Sequence, residues 1–412
     1  MELDTILIHG GWRNEKETGA CATPIYQTSA FSFENTAHAA ALFDGSQTGN
    51  IYTRIMNPTT DVFEKRMALL EGGVGALATS SGMSAVLVTV LTLCQAGDEI
   101  VSSSALYGGT FNLFSVTLKT FGIKVNFIDS NNPKDFEAAI TDKTKFVYAE
   151  TLANPKLIMA DLEALADVAH RHNIPFVVDS TVTPPPLLKP IEFGADIVIH
   201  SATKFIGGHG TSIAGVVVDS GKFDWKKSGK FEDLGANSPY GNDAPFIVKA
   251  RAAILRDTGC AISPFNAFML IQGMQTLSLR MEKHCSNAIK VAEFLKNSEY
   301  VEWINYPTYS DDPNFKKYLK NGYGAMIGFG IKGGIEAGAK FIDNVKLLTH
   351  IANLGDTKTL VIHPASTTHQ QLKPQERIEA GATDDFIRLC VGIEDAKDII
   401  ADMEQALKAA CS

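Results

Sequence analysis

Residues 175–210 contain two short runs that decide the fold, Pro175-Phe-Val-Val-Asp179-Ser and Asp196-Ile-Val-Ile-His200-Ser-Ala-Thr-Lys204-Phe-Ile-Gly-Gly-His-Gly210. Each begins as a nearly continuous apolar stretch and stops at polar residues. Apolar side chains at every position, rather than at alternate ones, mark strands covered on both faces, as in a mostly parallel sheet. The same signature recurs at Glu99–Ser102, Val125–Ile128, Lys145–Glu150 and Ala214–Val218. Helical patterns lie between and before them: Thr60–Leu70, broken by Gly72, Gly73 and Gly75; Gly82–Leu93; and, most clearly, Leu162–His172. Repeated alternation of strand and helix predicts a doubly wound α/β domain with helices on both faces.

Outward from this block the pattern changes. Residues 1–58 show little regularity and are expected to form an arm that packs elsewhere or on another subunit. Residues 59–260 make up the large domain, with a polar loop rich in Gly, Lys and Asp at 221–245. Residues 261–412 predict a smaller C-terminal α+β domain. It has a long helical pattern at Pro264–Lys296, strands at Ala325–Ile331, Leu360–His363 and Phe386–Val391, and a last helix at Asp395–Ala410.

Composition narrows the function. A chain of 412 residues is long enough for a large core. Its formal charge of -9 and lack of a basic block argue against nucleic acid, which needs clustered Lys and Arg. No apolar run is long enough to span a membrane, and the start Met1-Glu-Leu-Asp-Thr does not read as a secretory signal. The six cysteines form no CxxC pair, which fits free thiols in a reducing cytoplasm and no metal site. His170 and His172, two apart on a helix, do not share a face. Gly72-Gly73-Val-Gly75 follows a helix and is not a full GxGxxG, so dinucleotide binding is not expected.

Chemistry concentrates after the strands. In open α/β sheets, ligands sit beyond the carboxyl ends of the strands, where Asp179 and Lys204 fall. Lys204 stands beside two hydroxyl residues and a glycine-rich loop. A lysine in a low-polarity pocket loses its charge below its usual pKa of about 10.4 and becomes a nucleophilic amine. A carboxylate for a pyridinium nitrogen and a lysine for an aldehyde are the two groups that pyridoxal 5'-phosphate (PLP) requires. Thr79-Ser-Ser-Gly82-Met83-Ser84, entering a helix, offers an anion site for its phosphate. Ser201 and Thr203 could add hydroxyl donors, and Tyr107 could stack on a flat ring.

Six stretches carry a family resemblance: Tyr52-Thr-Arg54-Ile-Met-Asn-Pro, Ser81-Gly-Met83, Tyr107-Gly-Gly-Thr, Glu150-Thr-Leu-Ala-Asn154-Pro, Val178-Asp179-Ser-Thr181 and Ser201-Ala-Thr203-Lys204. In this order they resemble the Cys/Met-metabolism PLP enzymes of fold type I, over nearly the whole chain. The resemblance implies that Lys204 holds the cofactor as a Schiff base and that Asp179 pairs with its ring nitrogen. It implies stacking by Tyr107, with Tyr107 counted beside Lys204 as catalytic. Gly82, Met83, Thr181, Ser201 and Thr203 become cofactor-binding residues. Tyr52 and Arg54 would reach the phosphate of a neighbouring subunit's cofactor, so the protein is expected to be at least a dimer and typically a tetramer. Asn154, Asn353 and Arg388 would hold the substrate, Arg388 by a two-pronged ion pair to its carboxylate.

Within the family, Gly109 replaces the cysteine usual in methionine gamma-lyases. Asn353-Leu-Gly-Asp356-Thr-Lys358 departs from the cystathionine-enzyme pattern, with Lys358 expected where a carboxylate would face a distal ammonium. The form Asn353-Leu-Gly-Asp…Val361-Ile-His-Pro-Ala-Ser-Thr-Thr-His369 and the longer segment at about 221–260 resemble O-acetylhomoserine sulfhydrylases. The implied reaction is γ-replacement by sulfide or methanethiol. The other enzymes of the family and a catalytically silent binding protein are the alternatives. His363 and His369 suit a structural loop as well as substrate contact.

Overall fold

In the computed structural model, which describes all residues except 232, 233, 235–243, 369, 372, 374, 376, 378–380 and 412, the chain builds two sheets. The larger has seven strands: β1 Gly75–Thr79, β2 Glu99–Ser103, β3 Lys124–Ile128, β4 Thr144–Glu150, β5 Phe176–Asp179, β6 Ile197–His200 and β7 Gly215–Asp219. Their spatial order is β1-β7-β6-β5-β4-β2-β3. All neighbours run parallel except β7, which is antiparallel to both β1 and β6. The continuous apolar runs are explained by burial on both sides. Val178, Val147 and Val198 enter one core, against Phe63, Met67 and Leu165. Val177, Tyr148 and Ile199 enter the other, against Val88 and Phe246.

Helix boundaries follow local chemistry. Helix Pro58–Glu71 starts with proline in its first turn, has the Asn57 side chain accepting from the Thr59 N–H, and stops at Gly72 in the left-handed region, φ 77°. Helix Gly82–Leu93 begins where the Ser81 side chain accepts from the Ser84 N–H. Helix Leu162–Arg171 covers the clearest predicted stretch. The expected single helix at Pro264–Lys296 is two helices, Pro264–Gln275 and Leu277–Asn297, separated at Thr276 with ψ 13°. Gly75, expected only to break a helix, opens β1. A strand of Gly-Ala-Leu-Ala-Thr has little β-branched character, and pairing with β7 holds it in the sheet. Residues 1–58 hold two short helices, Leu3–His9 and Thr36–Phe43, in otherwise irregular chain. Buried Arg66 donates to the carbonyls of Leu7, Ile8 and Gly10 and so fixes the end of the first of these.

The smaller sheet contains β8 Val301–Asn305, β9 Met326–Ile331, β10 Thr349–His350, β11 Leu360–Ile362 and β12 Phe386–Cys390, in the order β10-β11-β12-β9-β8. Strands β8 and β10 are not among those expected from the sequence. A separate core of Val291, Leu295, Phe341, Ile387 and Met403 backs this sheet with helices Leu277–Asn297, Gly334–Asn344 and Ala396–Ala410. Among the described residues, no helix is long and apolar enough to cross a membrane.

Asp219, at the end of β7, is buried. Its Oδ1 accepts from the Gly221 N–H at 2.9 Å, while Oδ2 has no hydrogen-bond partner among the described residues. Burial, helped by the nearby charge of Asp196, pushes its carboxyl up from 3.8 to about 7. The folded state therefore holds a proton there that the unfolded state releases at lower pH. That proton favours folding below the unfolded pKa, and the benefit is lost as pH rises through the folded value. Asp219→Asn is expected to flatten the dependence of the unfolding midpoint on pH between about 4 and 7, relative to wild type. The differential is up to about 4 kcal/mol across that window, read from thermal or urea unfolding of both proteins at several pH values.

Candidate active site

The carboxyl ends of five strands converge on one cavity of about 260 Å³. Strand β1 leads to Ser81, Gly82 and Met83, β2 to Tyr107, β4 to Glu150 and Asn154, β5 to Asp179 and Thr181, and β6 to Ser201, Thr203 and Lys204. The smaller sheet closes it with Arg388 from β12 and Asn353 from the connection before β11.

A short chain of hydrogen bonds aligns the strand ends. Asp179 Oδ1 accepts from the Thr181 N–H at 2.9 Å, and Thr181 Oγ1 accepts from the Ser201 N–H at 2.7 Å. Lys204 Nζ donates to Asn353 Oδ1 at 2.5 Å. Arg388 donates to Asn154 Oδ1 at 3.3 Å and to the Asn353 carbonyl at 3.1 Å. Burial, and then the Arg388 charge, lower the Lys204 pKa. Burial raises the Asp179 carboxyl. Among the described residues no carboxylate pairs with Arg388, so its fork faces the cavity without an internal counterion.

Most of the residues singled out in the sequence line this cavity, including all those on Lys204's side of the motif set. Three details sharpen their chemistry. The Thr203 hydroxyl both donates to and accepts from the Ala214 backbone, at 3.1 and 3.0 Å, so it already serves to hold the Lys204 loop. A Cβ on Gly82 would lie 2.6 Å from Ser201 Cβ, so only glycine lets the helix start approach that loop. The Tyr107 ring, half-exposed, rests on Gly109, where a Cβ would fall 2.5 Å from a ring carbon.

Tyr52 and Arg54 do not line the cavity of their own chain. Arg54 sits over the Tyr52 ring at 5.3 Å and donates to the Arg256 carbonyl. Lys358, expected to face the substrate, does not line the cavity of its own chain. Its backbone N–H is turned by Asp356 Oδ1, and its side chain is exposed outside the cavity lining. His363 is buried between Ser366 Oγ and the Asp384 carbonyl, a structural role, while His369 lies outside the described residues, as does much of the loop at 221–245. Glu150 had been quoted in a motif without a role. Its signal was the one that marked Asp179, a carboxylate ending a buried strand.

A family model described as "Cys/Met metabolism PLP-dependent enzyme" matches residues 4–408. The chain belongs to this family. It is 51% identical to an O-acetyl-L-homoserine sulfhydrylase of Leptospira meyeri, over 98% of this chain and 96% of that one. It is 45% identical to a homocysteine/cysteine synthase of Saccharomyces cerevisiae, over 98% and 97%. A solved structure from Campylobacter jejuni, named as a candidate O-acetylhomoserine (thiol)-lyase and bearing N'-pyridoxyl-lysine-5'-monophosphate, aligns with a TM-score of 0.91 at 36% identity, over 99% and 100% of the two chains. The fold is therefore that of a PLP-dependent enzyme, and PLP is its cofactor. The cavity fits that group: an amine with a lowered pKa, a buried carboxylate, and a helix start bared by Gly82 for a phosphate.

Arg388→Lys replaces a two-pronged donor with a point charge. A hydrogen bond to a charged group contributes about 1.5–3 kcal/mol, so KM for the amino-acid substrate is expected to rise roughly 10- to 100-fold, with a much smaller change in kcat. Steady-state kinetics check this.

Proposed function

We propose that this enzyme catalyses γ-replacement on O-acetyl-L-homoserine, with sulfide or methanethiol as the incoming group, giving L-homocysteine or methionine and acetate. The observation that carries the reading is identity of 45–51% along essentially the whole chain to proteins named for this chemistry. At the γ-carbon a C–S bond forms, the C–O bond to the ester breaks, and acetate takes the bonding electrons. PLP, when bound, supplies an electron sink for negative charge developing at the α- and β-carbons. Lys204 receives the α-proton and moves a β-proton, which suits an amine whose pKa is lowered by burial. Arg388 holds the substrate carboxylate, and Asn353 links the two by taking a hydrogen bond from each.

In the same proposal Asp179 pairs with the ring nitrogen and Tyr107 stacks on the ring. Gly82, Met83 and Ser201 receive the phosphate, with Thr181 and Thr203 holding those donors in place. Asn154 orients the substrate side. Tyr52 and Arg54, on the arm of residues 1–58, serve the phosphate of a neighbouring subunit, so the working unit is a dimer of sites within a homo-oligomer, a tetramer in its full form. The large domain spans 59–260 and the smaller one 261–412. Six free cysteines suit a cytoplasmic enzyme.

A substrate panel tests the reaction. O-acetyl-L-homoserine with sulfide is expected to turn over faster than O-succinyl-L-homoserine, cystathionine or methionine, and faster use of the succinyl ester with cysteine would overturn the proposal. Shared sites are tested by mixing two inactive variants, Arg54→Ala and Lys204→Ala. Random pairing is expected to restore about a quarter of wild-type activity, because half the dimers carry one intact site. No recovery would place Arg54 in its own chain's site.

A further inference from the structure

We infer that Glu150 is a positioning residue for both cofactor and substrate: one buried carboxylate ties the loop carrying Tyr107 to the loop carrying Asn154. Glu150 ends β4 and is only 7% exposed. Its Oε1 accepts from the Tyr107 N–H at 2.6 Å, and its Oε2 from the Asn154 N–H at 3.3 Å. These two N–H groups belong to loops that leave different strands, β2 and β4, and each loop delivers one side chain to the cavity.

The tie matters because the Tyr107 side chain is weakly anchored by itself. The Tyr107 ring is 52% exposed and makes its close approach to the bare backbone of Gly109. Where the ring can lie is therefore set mainly by the backbone at 107. Asn154 in turn accepts from Arg388, so its placement is passed to the group that faces the substrate carboxylate. Glu150 stands opposite Asp179 in the parallel register of β4 and β5, and side chains of paired residues lie on one face, so the two carboxylates are neighbours. Burial holds both carboxyls above their usual range, and the charge of Asp179 makes Glu150 still less willing to ionise. The backbone N–H groups of Tyr107 and Asn154 favour the ionised form of Glu150 and thereby tie the conformation of both loops to its charge. No step of the proposed reaction uses this residue.

The substrate arm of the test rests on the function proposed above, and the cofactor arm does not. Glu150→Ala removes both acceptors. Glu150→Gln keeps one oxygen for Tyr107 but turns an amide NH2 toward the Asn154 N–H. Three quantities are read on the intact enzyme: apparent PLP affinity by absorbance titration of the apoenzyme, visible circular dichroism of the bound cofactor, and kcat and KM for O-acetyl-L-homoserine. Glu150→Ala is expected to bind PLP about tenfold more weakly or worse, with loss of the visible dichroism while far-ultraviolet dichroism is unchanged. Glu150→Gln is expected to recover dichroism and PLP affinity, yet to show a KM raised about tenfold with kcat changed less. A folded Glu150→Ala protein with wild-type PLP affinity, dichroism and KM overturns the inference. If that variant does not fold, Glu150→Gln decides: wild-type KM overturns the tie to Asn154, and loss of dichroism overturns the assignment of the Tyr107 tie to one oxygen. Failure to use O-acetyl-L-homoserine at all would sink the proposed substrate and leave the cofactor readings standing.

Discussion

A half-buried lysine amine at the end of a buried strand is the constraint around which the chain is arranged. An ammonium is costly to bury without a counterion, and a lowered pKa is the usual relief. Around Lys204 the backbone is held from several directions. Its N–H reaches the Ser201 carbonyl, and its carbonyl accepts from Gly208. Buried Arg280 donates to the carbonyls of Phe205 and Ile206 at 2.7 and 3.3 Å and to Gly273 at 2.7 Å, joining the loop to helix Pro264–Gln275. Gly355, from the smaller sheet's side, packs so closely that a Cβ would lie 3.0 Å from Lys204 Cα. The amine thus has a fixed base, and only its flexible stem is left to move.

Charge in the cavity is divided by position. The acids, Glu150 and Asp179, come from adjacent parallel strands of the larger sheet, and the guanidinium of Arg388 comes from the smaller one. Lys204 lies between, close enough to Arg388 to be pushed further toward its neutral form. In the proposed function, Arg388 is the group that receives a substrate carboxylate and Asp179 the one that receives a cationic ring nitrogen.

Besides a shared core, in which Met326, Leu354, Leu360 and Cys390 pack with residues of the larger sheet, the two sheets meet through polar contacts at the cavity. Asn353 touches Lys204 with its side chain and Arg388 with its carbonyl, and Asn154 returns the connection to β4. Small relative shifts of the sheets would change the Lys204–Asn353 and Arg388–Asn154 distances together. The Lys204 amine and the Arg388 guanidinium are in this sense linked across the two sheets.

Strand-end residues were legible because burial leaves an unmistakable trace. Continuous apolar runs followed by Asp179, or by Ser201 through Lys204, require a two-sided sheet and place polar groups at its edge. Helix starts were legible where a capping residue stands in the sequence, as Ser81 does. Strand direction was not: β7 reads like β6 but runs the other way, because periodicity records burial and not polarity. β1 was hidden by its glycine and alanines, and the break at Thr276 was hidden inside one continuous helical pattern. The sequence alone determined which residue types stand at the strand ends, and through them PLP chemistry. Only the tertiary structure decided that Glu150 bridges Tyr107 and Asn154, that Thr203 spends its hydroxyl on Ala214, and that Lys358 is exposed outside the cavity lining. The physical reason is that burial pattern is local to a strand, whereas the partner of a hydrogen bond is chosen by how distant loops come together in space.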